Sequence, residues 1–108
     1  MPKETELQKA VLDLLAHIPN IYCFRSGSGL IKTERGGYFR SGKKGCPDIV
    51  CSIKGKFVGL EIKVSKNKLS EFQKQAQREI ENSGGVYAVI RSLDDVENLL
   101  ATLSTIKI

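Results

Sequence analysis

With 108 residues, 41% hydrophobic and 27% charged, the chain has the makeup of one globular domain with a single modest core. No apolar run approaches the ~20 residues that cross a bilayer, and the opening MPKETELQ has no signal-peptide pattern, so no membrane partner is expected and the expected location is cytoplasmic. The net charge of +5 is uneven: Arg25 to Lys68 carries 11 Lys/Arg against Glu34, Asp48 and Glu61, an excess of +8, and such a field points either to a polyanion such as nucleic acid or to a solvated basic surface.

In chain order, residues 3–17 predict an amphipathic helix, because Leu7, Ala10, Val11, Leu14, Leu15 and Ile18 fall on one stripe. Glu4 continues that stripe, either as a first-turn acid favoured by the helix dipole or as a carboxylate aimed into a site. Glu6 sits to its side. Pro19-Asn20 ends the helix, and residues 21–25 predict a strand in which Cys23 is one of three cysteines. Cys23, Cys46 and Cys51 are odd in number and lack CxxC spacing, so neither structural zinc nor a disulfide framework is expected. Residues 26–45 read as a long loop in which six glycines alternate with Lys32, Arg35, Arg40, Lys43 and Lys44. Glycines allow close backbone approach and the cations suit phosphates. Phe39 is expected in the core; Tyr38 would stack on a base or pin the loop.

Residues 45–63, GCPDIVCSIKGKFVGLEIK, predict a β-hairpin turning at Lys54-Gly55. A two-residue turn sets Ile49 opposite Leu60 and Asp48 opposite Glu61. Asp48, Glu61 and Lys63 then share one face while Ile49, Cys51, Val58 and Leu60 share the other. Two carboxylates facing each other at a Cβ separation of roughly 5 Å repel unless a cation or a proton lies between them. An all-oxygen pair suits Mg²⁺ or Mn²⁺; the alternative is an exposed acidic-basic pair on an edge hairpin. Lys66 and Lys68 follow in a polar link. Ser70-Glu71-Phe72-Gln73 fits a capping box opening a helix to about Asn82, with Phe72, Ala76 and Ile80 inward. Ser83-Gly84-Gly85 stops that helix, residues 86–90 predict a buried strand, and Leu93, Val96, Leu99, Leu100 and Leu103 line a last helix. The fold class is α/β in the order α-β-β-β-α-β-α, one domain over 1–108.

A helix-borne Glu, Gly-x-Pro-Asp opening a strand, Glu-x-Lys on the next strand and Leu-Ser-x-x-Gln opening a helix, in that order, resemble the VRR-NUC family of the PD-(D/E)xK nuclease superfamily, in its stand-alone phage and bacterial form. More distantly, the set is similar to archaeal-type Holliday junction resolvases. The resemblance spans nearly the whole chain and implies a restriction-endonuclease-like fold with a central mixed sheet flanked by helices. It makes Asp48 and Glu61 metal ligands, Ile62 a ligand through its carbonyl, and Lys63 the residue that orients or activates water. Glu4 matches the helix carboxylate better than Glu6, and Gln73 matches the family glutamine, in competition with its capping role. Arg25-Ser26 resembles the basic turn after the first strand and joins Lys32, Arg35, Arg40, Lys43, Lys44, Lys66 and Lys68 as expected nucleic-acid contacts.

The expected function is therefore a Mg²⁺- or Mn²⁺-dependent DNA endonuclease acting on branched DNA such as a Holliday junction, as a homodimer, in the cytoplasm of a bacterial or phage-infected cell, without a small-molecule cofactor. The alternatives are a non-catalytic DNA-binding module on the same fold, and an RNA nuclease.

Overall fold

The computed structural model describes residues 3–27, 29–64 and 66–104, and of residues 29–31 and 39–41 the backbone alone. Its elements are α1 (Glu4–Ala16), β1 (Ile21–Arg25), β2 (Gly29–Lys32), β3 (Tyr38–Ser41), β4 (Ile49–Ile53), β5 (Lys56–Ile62), α2 (Glu71–Asn82), β6 (Val86–Ile90) and α3 (Leu93–Ser104). Four strands form the main sheet in the order β1-β4-β5-β6, antiparallel except for the β5-β6 pair. The main sheet and the helices follow the expected α-β-β-β-α-β-α order.

The departure lies in the glycine-rich stretch, which contains the additional hairpin β2-β3 rather than an unbroken loop. Its turn is closed locally: Thr33 N donates to the Gly37 carbonyl at 2.8 Å, Gly37 N donates to Thr33 Oγ1 at 3.1 Å, and Gly36 supplies a φ of 84°. The hairpin pairs with itself rather than with the main sheet, and the molecule is drawn out to 49 × 33 × 27 Å.

The register of β4 and β5 is fixed by their turn. Lys54 and Gly55 both have positive φ, 54° and 77°, the conformation whose twist matches two antiparallel strands. Ile53 therefore pairs with Lys56 and Ile49 with Leu60. Ile49, Cys51, Ile53, Val58, Leu60 and Ile62 are all buried on one face, against Leu7, Val11 and Leu15 of α1 and Val96 and Leu103 of α3. Burial of a Leu or Ile side chain contributes about 1.5–3 kcal/mol, so this layer holds most of the hydrophobic stabilisation.

The opposite face is covered unevenly. On α2, Ile80 lies over the sheet, where a Cβ on Gly59 would come within 2.6 Å of Pro47 Cγ and 3.5 Å of Ile80 Cδ1. Strand, proline and helix meet there without room for a side chain. None of the residues of α2 is fully buried. Phe72, expected inward, is half exposed, with the Lys44 ammonium 3.6 Å from its ring centroid, because it stands on the wall of an open groove with Pro47, Phe57 and Ile80 rather than in the core. Helix α2 ends in a Schellman motif, with Gly84 at φ 93° and Gly85 N donating to the Ile80 carbonyl at 2.9 Å.

Candidate active site

Asp48 and Glu61 meet where β4 begins and β5 ends. The loop into β4 is held against α2 by Gly45, whose φ is 81° and on which a Cβ would collide with the Phe72 carbonyl. Only glycine meets both demands. Pro47 is buried, and the next residue, Asp48, is set opposite Glu61 by continuation of the register. Ile62 N donates to Asp48 Oδ2 at 2.8 Å, so the carboxylate of one strand is pinned by the main chain of its neighbour.

Glu61 is 3% exposed and is the only buried charged side chain among the described residues. One carboxyl oxygen, Oε2, accepts from Gln73 Nε2 at 3.2 Å, while Oε1 is buried with no partner. Burial first, then the hydrogen-bonding and charge of Asp48, push Glu61 up to about 9; Lys63 pulls it down and Glu4 adds a smaller upward push. Without a cation, Glu61 therefore holds a proton at neutral pH beside Asp48.

Gln73 performs both of its expected roles at once. Its Oε1 accepts from Ser70 N at 2.9 Å, closing a capping box with the Gln73 N to Ser70 Oγ bond of 3.2 Å, while its Nε2 reaches Glu61. A glutamate at this position would also cap the helix, but it would face Glu61 with a third carboxylate. The amide is the side chain that satisfies a helix end and a buried acid together.

Lys63 follows β5, with its N–H donating to the Ile90 carbonyl at 3.0 Å and its charge acting on Glu61. Glu4 is exposed in the first turn of α1, within electrostatic range of Glu61. Glu6 instead lines a different pocket, with Arg91 and Asp94. Ser26 N donates to the Asp48 carbonyl at 2.9 Å, and Arg25, Ser26, Gly27 and Gln8 surround Asp48 in a small pocket of about 80 Å³. Lys32 and Arg35 are exposed on the β2-β3 hairpin, and Lys66 and Lys68 are exposed ahead of α2. The side chains of Arg40 and Phe39 lie outside the described residues. Lys43 is ion-paired to Glu79 at 2.7 Å and Lys44 lies over Phe72, so these two cations are engaged with α2. Tyr38, left open between two roles, is exposed.

Three residues at the site escaped sequence reasoning. Tyr87 on β6 is 7% exposed and its hydroxyl has no hydrogen-bond partner. Burial, then the charges of Glu61 and Asp48, push that hydroxyl up, so Tyr87 stays a neutral phenol with a proton to donate. Its signal was a lone hydroxyl in the otherwise apolar Val86–Ile90 strand. Gln8 stands one helical turn beyond Glu4, a spacing that puts the two on one face. Cys46, the variable residue of Gly-x-Pro-Asp, has its thiol near Ser26 and both acids; burial raises it first, and Glu61 and Asp48 raise it further.

A larger groove of about 390 Å³ runs on the other side of Pro47, between Lys44, Phe57, Phe72 and Ile80. Its walls are mostly apolar and neither carboxylate lines it, so the chemistry belongs to the smaller pocket beside Asp48.

The donor set at Asp48 and Glu61 fits a hard divalent ion. Two carboxylates are held by Ile62 N and Gln73 Nε2, and a buried carboxyl oxygen is left without a partner. Among the described residues no cluster of three His, Cys, Asp or Glu comes together. Mg²⁺ commonly takes one or two protein carboxylates and completes its shell with water and substrate phosphate, so two acids suffice for such a site. Also among the described residues, no helix is long and apolar enough to cross a membrane. Comparison with protein-family models, curated proteins and solved structures gave no match to this chain.

Proposed function

We propose that the chain is a Mg²⁺/Mn²⁺-dependent endonuclease that hydrolyses phosphodiester bonds in branched DNA as a homodimer. The observation that carries this reading is the buried carboxyl of Glu61 set against Asp48, one oxygen of which no N–H of the described residues reaches, so that only a shared proton or a cation can hold the two acids together. The VRR-NUC-like order of motifs and the basic stretch from Arg25 to Lys68 support it independently.

In this reading Asp48 and Glu61 hold the cation, joined by the Ile62 carbonyl. When bound, the cation neutralises charge on a phosphate oxygen and lowers the pKa of water. The residues of the chain do the positioning. Ile62 N and Gln73 Nε2 fix the two carboxylates before any ligand arrives, so no reorganisation is needed at the moment of reaction. Lys63 orients the attacking water and neutralises phosphate charge. Gln8, Arg25 and Ser26 line the approach beside Asp48, where a phosphate backbone would lie. Glu4, exposed and near enough to act on Glu61, adds negative charge at the mouth of the site.

The second reading, a DNA-binding module without catalysis, draws on the exposed Lys32 and Arg35 of the hairpin. The two separate cleanly on a panel of four-way, flap, splayed and linear DNA, each with Mg²⁺ and with Mn²⁺. The nuclease reading expects metal-dependent cutting of the branched substrates, abolished in Glu61→Gln with DNA binding retained. Binding without cutting under every metal condition would favour the module, and cutting confined to RNA would redirect the substrate assignment.

A further inference from the structure

We infer that two copies of the chain associate through the free edge of β1, in an antiparallel β1-β1 pairing about a two-fold axis centred on Cys23. The homodimer proposed above rested on substrate symmetry. The surface assigned here rests on strand geometry alone, so the two stand or fall separately.

β1 ends the main sheet, and among the described residues no strand pairs with its far side. The pairing of β1 with β4 sets which groups remain. Ser26 N donates to the Asp48 carbonyl, so Ser26 and, at alternate positions, Phe24 and Tyr22 make the hydrogen-bonded pairs with β4. The main-chain N–H and C=O groups of Ile21, Cys23 and Arg25 consequently point away from the sheet. The edge carries no proline or bulge, and its single charged residue is at one end, so none of the usual devices that discourage strand addition is built into Ile21–Phe24.

The same strand presents aromatic surface on the face that α2 leaves open. Tyr22 is 71% exposed and Phe24 48%, with ring centroids 6.0 Å apart, and Phe57, in the same row as Tyr22 through Ser52, is 44% exposed. Taking ~200 Å² per aromatic side chain, Tyr22 and Phe24 leave roughly 240 Å² in water at the edge itself. That is about 30% of the ~800 Å² that each partner contributes to a stable interface, before the strand edge and its other side chains are counted.

A second copy fits this edge better than another partner because the edge is self-complementary. With Cys23 opposite Cys23 of the partner subunit, the outward groups of Ile21 meet those of the partner's Arg25, and Tyr22 stands directly against the partner's Phe24, twice over. The two Asp48 sites then lie at opposite ends of the shared ribbon, because β1 runs antiparallel to its copy. For the nuclease reading, this gives two cutting centres related by symmetry.

Sedimentation equilibrium from 5 to 100 μM tests the association. The expected result is a dimer that Tyr22→Lys and Phe24→Lys shift at least tenfold toward monomer with the helix signal in circular dichroism unchanged. A protein that is monomeric at 100 μM would overturn the inference. So would a dimer that both lysine variants leave intact. Monomeric protein whose DNA affinity falls in Tyr22→Lys would instead mark the aromatic face as a base-stacking surface.

Discussion

The carboxylate end of the main sheet and the β2-β3 hairpin are both polar, and the chain builds them in opposite ways. At Asp48 and Glu61 every neighbour is fixed: Gly45 against the Phe72 carbonyl, Pro47 over Gly59, Ile62 N on Asp48 and Gln73 on Glu61. The hairpin is closed by its own turn, adds no strand to the main sheet and exposes its Lys32 and Arg35. A buried acid needs rigid partners because an unsatisfied carboxylate costs several kcal/mol away from water, whereas a cation meeting a phosphate on the surface needs only reach. Changes at the first region should therefore be large and specific, and changes at the second modest and dependent on salt.

The largest expected effect is on chemistry. Asp48→Asn and Glu61→Gln should each lower the metal-dependent cleavage rate by about a thousandfold or more while junction affinity in a gel-shift assay changes little, since each removes a ligand charge and keeps the shape. Next comes Gly45→Ala, which adds a Cβ where there is a main-chain carbonyl and also forbids the native φ; urea unfolding should show a loss of about 3 kcal/mol or more. The same substitution at Gly36, in the hairpin turn, meets no atom within 4 Å and bears only the φ penalty, so about 1 kcal/mol is expected there. That contrast would break down if the two variants were equally stable.

A third test is pH. The folded-state value of Glu61, about 9, lies above its ordinary 4.5, so the metal-free fold keeps a proton that the unfolded chain gives up. The stabilisation this provides is fully present below about pH 4.5 and is lost as pH rises to about 9. Chemical denaturation with chelator should thus show stability falling by several kcal/mol between pH 5 and pH 9, and Glu61→Gln should flatten that slope. Fourth, Gln73→Glu should preserve helix content while cutting cleavage at least tenfold, whereas Gln73→Met should lose the side-chain half of the capping box together with the contact to Glu61. The smallest effect belongs to the hairpin. Lys32→Ala/Arg35→Ala should weaken DNA binding several-fold, lower the salt dependence by about two counterions and leave the melting temperature within about 2 °C.

Much of the architecture was legible because local signals agreed with one another. The Lys54-Gly55 turn and the two-residue spacing of Ile49, Cys51, Val58 and Leu60 set the strand register, and that register alone placed Asp48 opposite Glu61. The capping box at Ser70 and the stop at Gly84-Gly85 marked α2 for the same reason. What could not be read was tertiary. The depth of Glu61 depends on Pro47, Gly59 and Gln73 converging from different elements, and no window of sequence contains them together. Tyr87 becomes polar company for the acids only through the parallel β5-β6 pairing, in which it stands beside Gly59. The β2-β3 hairpin was hidden because its strands are only four residues each and lie among glycines that read as loop. Phe72 looked inward by helical spacing, but spacing does not say whether the space beneath a helix is filled or left as a groove.

The central claim is that Asp48 and Glu61 together take up a divalent cation and that Glu61 surrenders a proton to do so. Isothermal titration of Mn²⁺ at pH 8, repeated in two buffers of different ionisation enthalpy, measures both quantities at once. One site with release of close to one proton per ion in the wild type, and neither in Glu61→Gln, is the predicted result. Equal binding in the two proteins, or wild-type binding with no proton released, would contradict the claim.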